Sequence, residues 1–217
     1  MIPDPIREQI DAIHVEPGRP LIITDADEVL FAFMAGLESY LNGEGLTFDF
    51  SSFAITGNVK DATGRALEQK EVREHLGVFF ERHTHELDPV EHAAETLAQL
   101  SQEAQVVVLS NIPLPQRGAR QQALRQHGMD YPLIANEGAK GPAVSELFRR
   151  AAAPSIFIDD IPHNHSSVRE HADDVHRLHF VADPRLARLI PRSDDAHARA
   201  DTWPEARPII EARILGS

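Results

Sequence analysis

The chain has 217 residues, 42% hydrophobic and 25% charged, which is enough for one α/β core with a modest insertion and too short for two large domains. A formal net charge of −13 without any run of Lys and Arg argues against polyanion partners, so neither nucleic acid nor an anionic membrane is expected to bind. The absence of cysteine removes disulfides, thiolate nucleophiles and cysteine-held metals together.

The chain opens Met-Ile-Pro-Asp-Pro-Ile-Arg-Glu, unlike the basic then apolar start of a secretory signal. No apolar run approaches the roughly 20 residues needed to span a bilayer, and a cytoplasmic protein is expected. Five short apolar runs rich in β-branched residues, at 21–24, 106–109, 133–135, 156–158 and 178–181, predict strands buried on both faces. Helical periodicity lies between them: Ala93, Leu97 and Leu100 share one face, Ala123 and Leu124 fall in a basic helix, and Val144, Leu147 and Phe148 share another face. Strand and helix alternating in this way predict a three-layer, Rossmann-like α/β fold, a parallel sheet with helices on both faces. Such sheets bind ligands beyond the carboxyl ends of their strands.

About 80 residues separate the first run from the second, far more than a crossover helix needs. The excess, residues 31–87, predicts a small, mainly helical cap, with residues 1–30 and 88–217 forming the core. Within the cap, 31–41 and 68–83 are helix candidates around a Gly- and Phe-rich stretch at 42–58. Its aromatics, among them Phe31, Phe33, Phe48, Phe50 and Phe53, are expected to form mainly the cap's own core. Beyond Ala182 a tail rich in Asp, Arg, Ala and Pro leads to a helix expected at 204–214, which packs back on the core.

Polar residues cluster where these strands end. The first run closes as Thr24-Asp25-Ala26-Asp27-Glu28-Val29, the second as Ser110-Asn111 and the fourth as Asp159-Asp160, while Lys140 stands at the start of the helix after the third. A carboxylate can attack phosphorus to form an acyl phosphate and needs no deprotonation at neutral pH. Its repulsion from an anionic substrate is removed by a hard divalent cation held by several oxygens, which Asp159 and Asp160 would help supply. Asp25 is the expected nucleophile and Asp27 the acid/base group for the leaving oxygen. Lys140, Ser110 and Asn111 are the expected phosphate-binding residues.

This ordered set resembles the haloacid dehalogenase superfamily of Asp-nucleophile phosphohydrolases. The resemblance spans residues 20–182 and rests on Leu21-Ile-Ile-Thr-Asp25-Ala-Asp27-Glu-Val29, Val106-Val-Val-Leu-Ser110-Asn111, Gly138-Ala-Lys140-Gly-Pro-Ala-Val144 and Ile156-Phe-Ile-Asp159-Asp160. It implies a Mg2+ site built from Asp25, the backbone carbonyl of Asp27, Asp159 and Asp160. It also implies hydrolysis of a small phosphorylated substrate, with the cap choosing the leaving group. The dehalogenase branch lacks an acid at the position of Asp27, which turns the expectation toward phosphate esters.

His83 with His85 and His163 with His165 form close pairs without an obvious third ligand, so a histidine metal site is not expected. His163 and Asn164 either line the site or shape its loop, and Glu28 is expected to be an exposed loop charge. Lys140-Gly141 lacks the glycine spacing of a nucleotide-binding loop. A receiver-type signalling module shares the residue types, but its paired acids should close the first strand. A non-catalytic phosphoryl-ligand binder and a phosphotransferase or mutase remain as alternatives.

Overall fold

Leu21, Ile22, Ile23 and Thr24 are inaccessible to solvent on both sides, and such a run is stable as the central strand of a covered sheet. The computed structural model, which describes residues 2–216, places it there. Strand β1 (Leu21–Thr24) lies between β4 (Gln105–Ser110) and β6 (Ser155–Asp159), with Leu21 opposite both Gln105 and Ser155. Outside them run β5 (Leu133–Ala135) on one side, then β7 (His176–Phe180) and β8 (Ala198–Ala200) on the other. All neighbouring pairs in this six-stranded sheet are parallel, in the order β5-β4-β1-β6-β7-β8. The chain reverses its direction of travel across the sheet at β1, so a crevice opens where β1, β4 and β6 end.

Alternate residues of each strand serve opposite layers. Leu21, Ile23, Val107, Leu109 and Phe157 pack on Ile6 and Ile10 of α1 (Asp4–Ala12), Val144 and Leu147 of α6 (Gly141–Ala151) and Val168 of α7 (Pro162–His171). Ile22, Val108, Ile156 and Ile158 face Leu97 and Leu100 of α4 (Ala93–Leu100), Leu124 of α5 (Arg117–Gln126) and Trp203 and Ile210 of α9 (Trp203–Ile210). A one-turn helix, α8 (Pro184–Ala187), follows β7. The predicted three-layer α/β architecture is therefore the one observed.

Between β1 and β4 the chain builds α2 (Phe33–Gly43), the antiparallel hairpin β2 (Thr47–Phe48) and β3 (Val59–Lys60), and α3 (Gln69–His83). Helix α3 begins at a capping box in which the Glu68 side chain accepts from the Glu71 backbone while the Glu71 side chain accepts from the Glu68 N–H. The two ends of the inserted segment are tied to each other: Ala32 N–H donates to the Asp88 carbonyl (2.9 Å) and Val90 N–H to that of Leu30 (2.8 Å). Phe33 and Phe79 meet edge to face at 5.3 Å, and the apolar interior continues from the sheet into this segment without a break.

Strand β8 and the β2–β3 hairpin lie outside the strands that the sequence predicts. The Ala-Arg-Ala of β8 has no β-branched residue, and each hairpin strand is two residues long, too short to show alternation. The tail does pack back: Trp203 is fully buried and its indole N–H donates to the Val29 carbonyl (2.9 Å), fixing the loop that follows β1. Among the described residues no helix is long and apolar enough to cross a membrane.

Candidate active site

Asp25 leaves β1 with its N–H donating to the Ile158 carbonyl of β6 (2.8 Å), which places its side chain at the mouth of the crevice. Its Oδ1 accepts from the Ala26 N–H (2.7 Å) and lies 2.8 Å from Lys140 Nζ. The chain then folds tightly back, with the Leu30 and Phe31 N–H groups both donating to the Ala26 carbonyl. Glu28 sits inside this turn at φ 58°, a left-handed conformation uncommon for a residue with a side chain. The expectation that Glu28 is an exposed loop charge is corrected here. It is buried, and its carboxylate accepts from the N–H groups of Met34 (2.6 Å) and Asp183 (3.1 Å), joining the turn to the start of α2 and to the exit of β7. Burial pushes its carboxyl up to about 7.

Asp159 and Asp160 end β6 beside Asp25. One carboxylate oxygen from each of Asp25, Asp159 and Asp160 falls within a cluster no wider than 4.8 Å, and all three residues are buried. Lys140, fully buried at the N-terminus of α6, donates to Asp159 Oδ2 (2.7 Å) as well as reaching Asp25. Burial opposes its charge, but Asp159 and Asp25 outweigh that and raise its pKa. Burial, followed by the charges of Asp159 and Asp25, drives the Asp160 carboxyl well above the ordinary range. Burial likewise raises Asp25 to about 7, although Lys140 pulls the other way. Asp159 is lowered despite its burial, because Lys140 and Asn164 bind its oxygens. Three buried carboxylates thus face one ammonium, an all-oxygen donor set with unmatched negative charge, which suits a hard divalent cation such as Mg2+.

Both acids of β6 are braced from behind by histidines. His165 Nε2 donates to the Asp159 carbonyl (2.9 Å) and His179 Nε2 to that of Asp160 (2.9 Å). His179 Nδ1 accepts from the Ser193 N–H (3.1 Å), and burial pushes its pKa down to about 4, so the ring acts as a neutral strut. Neither histidine is among the site residues that the sequence predicts. Asn164 is buried and donates to Asp159 Oδ1 (2.9 Å), so it shapes the loop, whereas His163 lines the cavity.

The other expected residues fall at the same edge of the sheet. The Ser110 hydroxyl is buried with no hydrogen-bond partner among the described residues, as suits a group reserved for a ligand oxygen. Asn111 lines the cavity, but its amide donates to the Gly138 carbonyl (2.9 Å) and its Oδ1 accepts from Asn136 (2.7 Å), so it holds the loop that carries Lys140. Asp27 also lines the cavity, and its Oδ1 lies 2.7 Å from Nη1 of Arg120, a residue absent from the expected set. Arg120 is completely buried in α5, its guanidinium 5.0 Å above the Phe31 ring. Its contact with Asp27 is a close ion pair without hydrogen-bond alignment, and none of its nitrogens has another partner among the described residues.

No protein-family model matches the chain, and no curated protein matches it in sequence. Solved structures do match in fold. A haloacid dehalogenase family hydrolase from Deinococcus radiodurans, described with bound phosphate and sodium, is 15% identical with a TM-score of 0.60, covering 91% of this chain and 96% of its own. The putative hydrolase YfnB of the same family from Bacillus subtilis, bound to magnesium, is 12% identical with a TM-score of 0.59 over 89% of this chain and 99% of its own. An L-2-haloacid dehalogenase is 12% identical with a TM-score of 0.58 over 90% and 100%. The protein therefore has the haloacid dehalogenase-like hydrolase fold. Three of its four resembling motifs end strands around the crevice of that fold, and the other brings Lys140 to the start of α6 beside them.

Proposed function

We propose that the protein is a cytoplasmic, Mg2+-dependent phosphomonoester hydrolase that works through an aspartyl phosphate on Asp25. What carries this reading is the convergence of Asp25, Asp159 and Asp160 around one small volume, with Lys140 between two of them and the Ser110 hydroxyl unpaired nearby. The carboxylates of Asp25, Asp159 and Asp160, with the Asp27 carbonyl, would hold the cation. Bound there, it would offset the repulsion between the acids and a phosphate dianion.

The residues divide the remaining work. Asp25 Oδ1 is occupied by Lys140 and the Ala26 N–H, which leaves Oδ2 to attack phosphorus as the bond to the leaving oxygen breaks. Lys140 and Ser110 stabilise charge on the phosphoryl oxygens. Released from Arg120, Asp27 would first take a proton from solvent and give it to the leaving oxygen, then take one from the water that cleaves the acyl phosphate, which leaves Asp25 as carboxylate and Asp27 protonated for the next turnover. For this Asp27 must exchange its contact with Arg120 for the substrate oxygen.

Hydrolysis of an aryl phosphate is expected in magnesium and is lost in EDTA. Asp25→Asn is expected to abolish turnover by at least about a thousandfold with an unchanged circular dichroism spectrum. Undiminished hydrolysis by that variant would remove Asp25 as nucleophile.

A further inference from the structure

The cavity beside Asp25 has a volume of about 670 Å³, within the range of small-molecule sites. Its floor is acidic, formed by Asp25, Asp27 and Asp160, but the walls above are apolar. Phe33 and Met34 enter from the start of α2, Phe53 and Ile55 from the loop between β2 and β3, and Ile161 and Leu186 from the core. The aromatics do belong mainly to the apolar interior, as expected, and two of them also line the cavity. Phe48 and Phe50 pair with each other at 4.8 Å, whereas Phe33 and Phe53 reach the cavity.

Among the described residues no Lys or Arg lines these walls. Three cations stand within four residues of the lining segments in the chain: Arg185 and Lys60 are engaged elsewhere, and Arg188 is exposed and outside the lining. Arg185 binds Glu38 and Asp183 and lies 3.8 Å above the Phe50 ring, and Lys60 binds Asp49. A second anionic group on a substrate would therefore meet Glu28 without a counter-charge on these walls. Sugar hydroxyls would find few free polar partners, since the Asn111 amide is already bonded and only Thr56 and His163 remain on the upper wall.

The wall is also held in shape. Asn58, buried at the base of the hairpin loop, donates from Nδ2 to the Ala54 carbonyl (2.7 Å) and to Ser52 Oγ (2.7 Å), and its Oδ1 accepts from Ser51 (3.1 Å). The Asp49 N–H closes the loop on the Asn58 carbonyl (2.8 Å). Phe53 and Ile55 are thus presented to a ligand at little further cost in order.

We infer that the substrate is the phosphate monoester of an uncharged, apolar alcohol, alkyl or aryl, whose carbon skeleton occupies this cavity. The inference deepens the phosphatase reading and rests on it for the phosphate end of the ligand. Each methylene taken out of water should improve affinity by about fourfold.

The test uses the full-length, magnesium-loaded protein and two kinds of measurement. Calorimetry compares hexylphosphonate with 2,3-dihydroxypropylphosphonate, which cannot be hydrolysed as esters. Kinetics compares hexyl phosphate with glycerol 3-phosphate, whose leaving alcohols are similarly poor. The apolar member of each pair is expected to win by at least about fiftyfold, with a negative heat-capacity change on binding. Phe53→Ser and Ile55→Ser should each weaken hexylphosphonate about tenfold. Equal binding of the two phosphonates, or preference for the diol, overturns the inference whether or not esters are hydrolysed. An apolar preference in binding without turnover of any ester upholds the cavity's selectivity and removes the phosphatase reading instead.

Discussion

Arg120 and Asp27 show how a residue can be committed to structure and chemistry together. A guanidinium with no accessible surface has one carboxylate within reach, and that carboxylate is the proposed acid/base group. Removing one partner of a buried ion pair leaves an uncompensated charge, a loss of about 3 kcal/mol at the lower end of the usual range, appropriate because Asp27 keeps 19% of its side-chain surface. Asp27→Asn is thus expected to slow turnover and also to lower stability in urea by that amount. In the double variant Asp27→Asn, Arg120→Met the stability should largely return while turnover stays low. Recovery of turnover in the double variant would show that Asp27 has no chemical part. Asp25, Asp27, Lys140, Asp159 and Asp160 were legible in the sequence because their types and order at strand ends have few other uses. Arg120 was not, since α5 carries several arginines; yet it stands three and four residues before Ala123 and Leu124, on the buried face of that helix. Glu28 was misread because nothing in its neighbours announces a left-handed turn folded over its side chain.

At the scale of elements, the position of Lys140 depends on how closely two helices approach. Helix α6 begins at Gly141, whose N–H donates to Ser167 Oγ of α7 (3.1 Å). A Cβ at this position would stand 2.2 Å from the Ser167 carbonyl oxygen, a backbone atom that cannot rotate away. Gly141→Ala should therefore push α6 off α7, with a loss of about 1–3 kcal/mol seen in urea unfolding. Because Lys140 precedes Gly141, the same variant should lower kcat for an aryl phosphate more than it raises KM. Wild-type stability with unchanged kcat would refute this account of the helix contact. Core helices and strands were legible because burial on one or both faces imposes a period on the sequence. The hairpin that presents Phe53 was not, because its order comes from Asn58 binding carbonyl and hydroxyl groups of its own loop, which leaves no periodic trace.

Over the whole molecule, the site concentrates like charges that the fold must hold together. Asp25 and Glu28, each raised to about 7, and Asp160, raised well above its ordinary value, bind protons more tightly in the folded chain than in the unfolded one. For a carboxyl with a raised pKa, the folded state carries the extra proton between the unfolded value near 4 and its own value. These carboxyls therefore cost the metal-free protein stability as pH rises from about 4 to about 7, by about 1.4 kcal/mol per pH unit for each group still titrating, while His165, His176, His179 and His197, all lowered by burial, act in the opposite sense up to about pH 6.5. Asp159, with a lowered pKa, acts in the opposite sense, and only below that window. Lys140 is raised and stays charged throughout. A divalent cation at the three acids competes with those protons, so its stabilising effect must grow as they leave. Above most of the histidine range the carboxyls dominate, so thermal unfolding in EDTA should give a midpoint that is higher at pH 6.5 than at pH 7.5. Magnesium should raise the midpoint at pH 7.5 by clearly more than at pH 5. A magnesium increment that shrinks with rising pH would mean that the cation and the protons do not share the carboxylates of Asp25, Asp159 and Asp160.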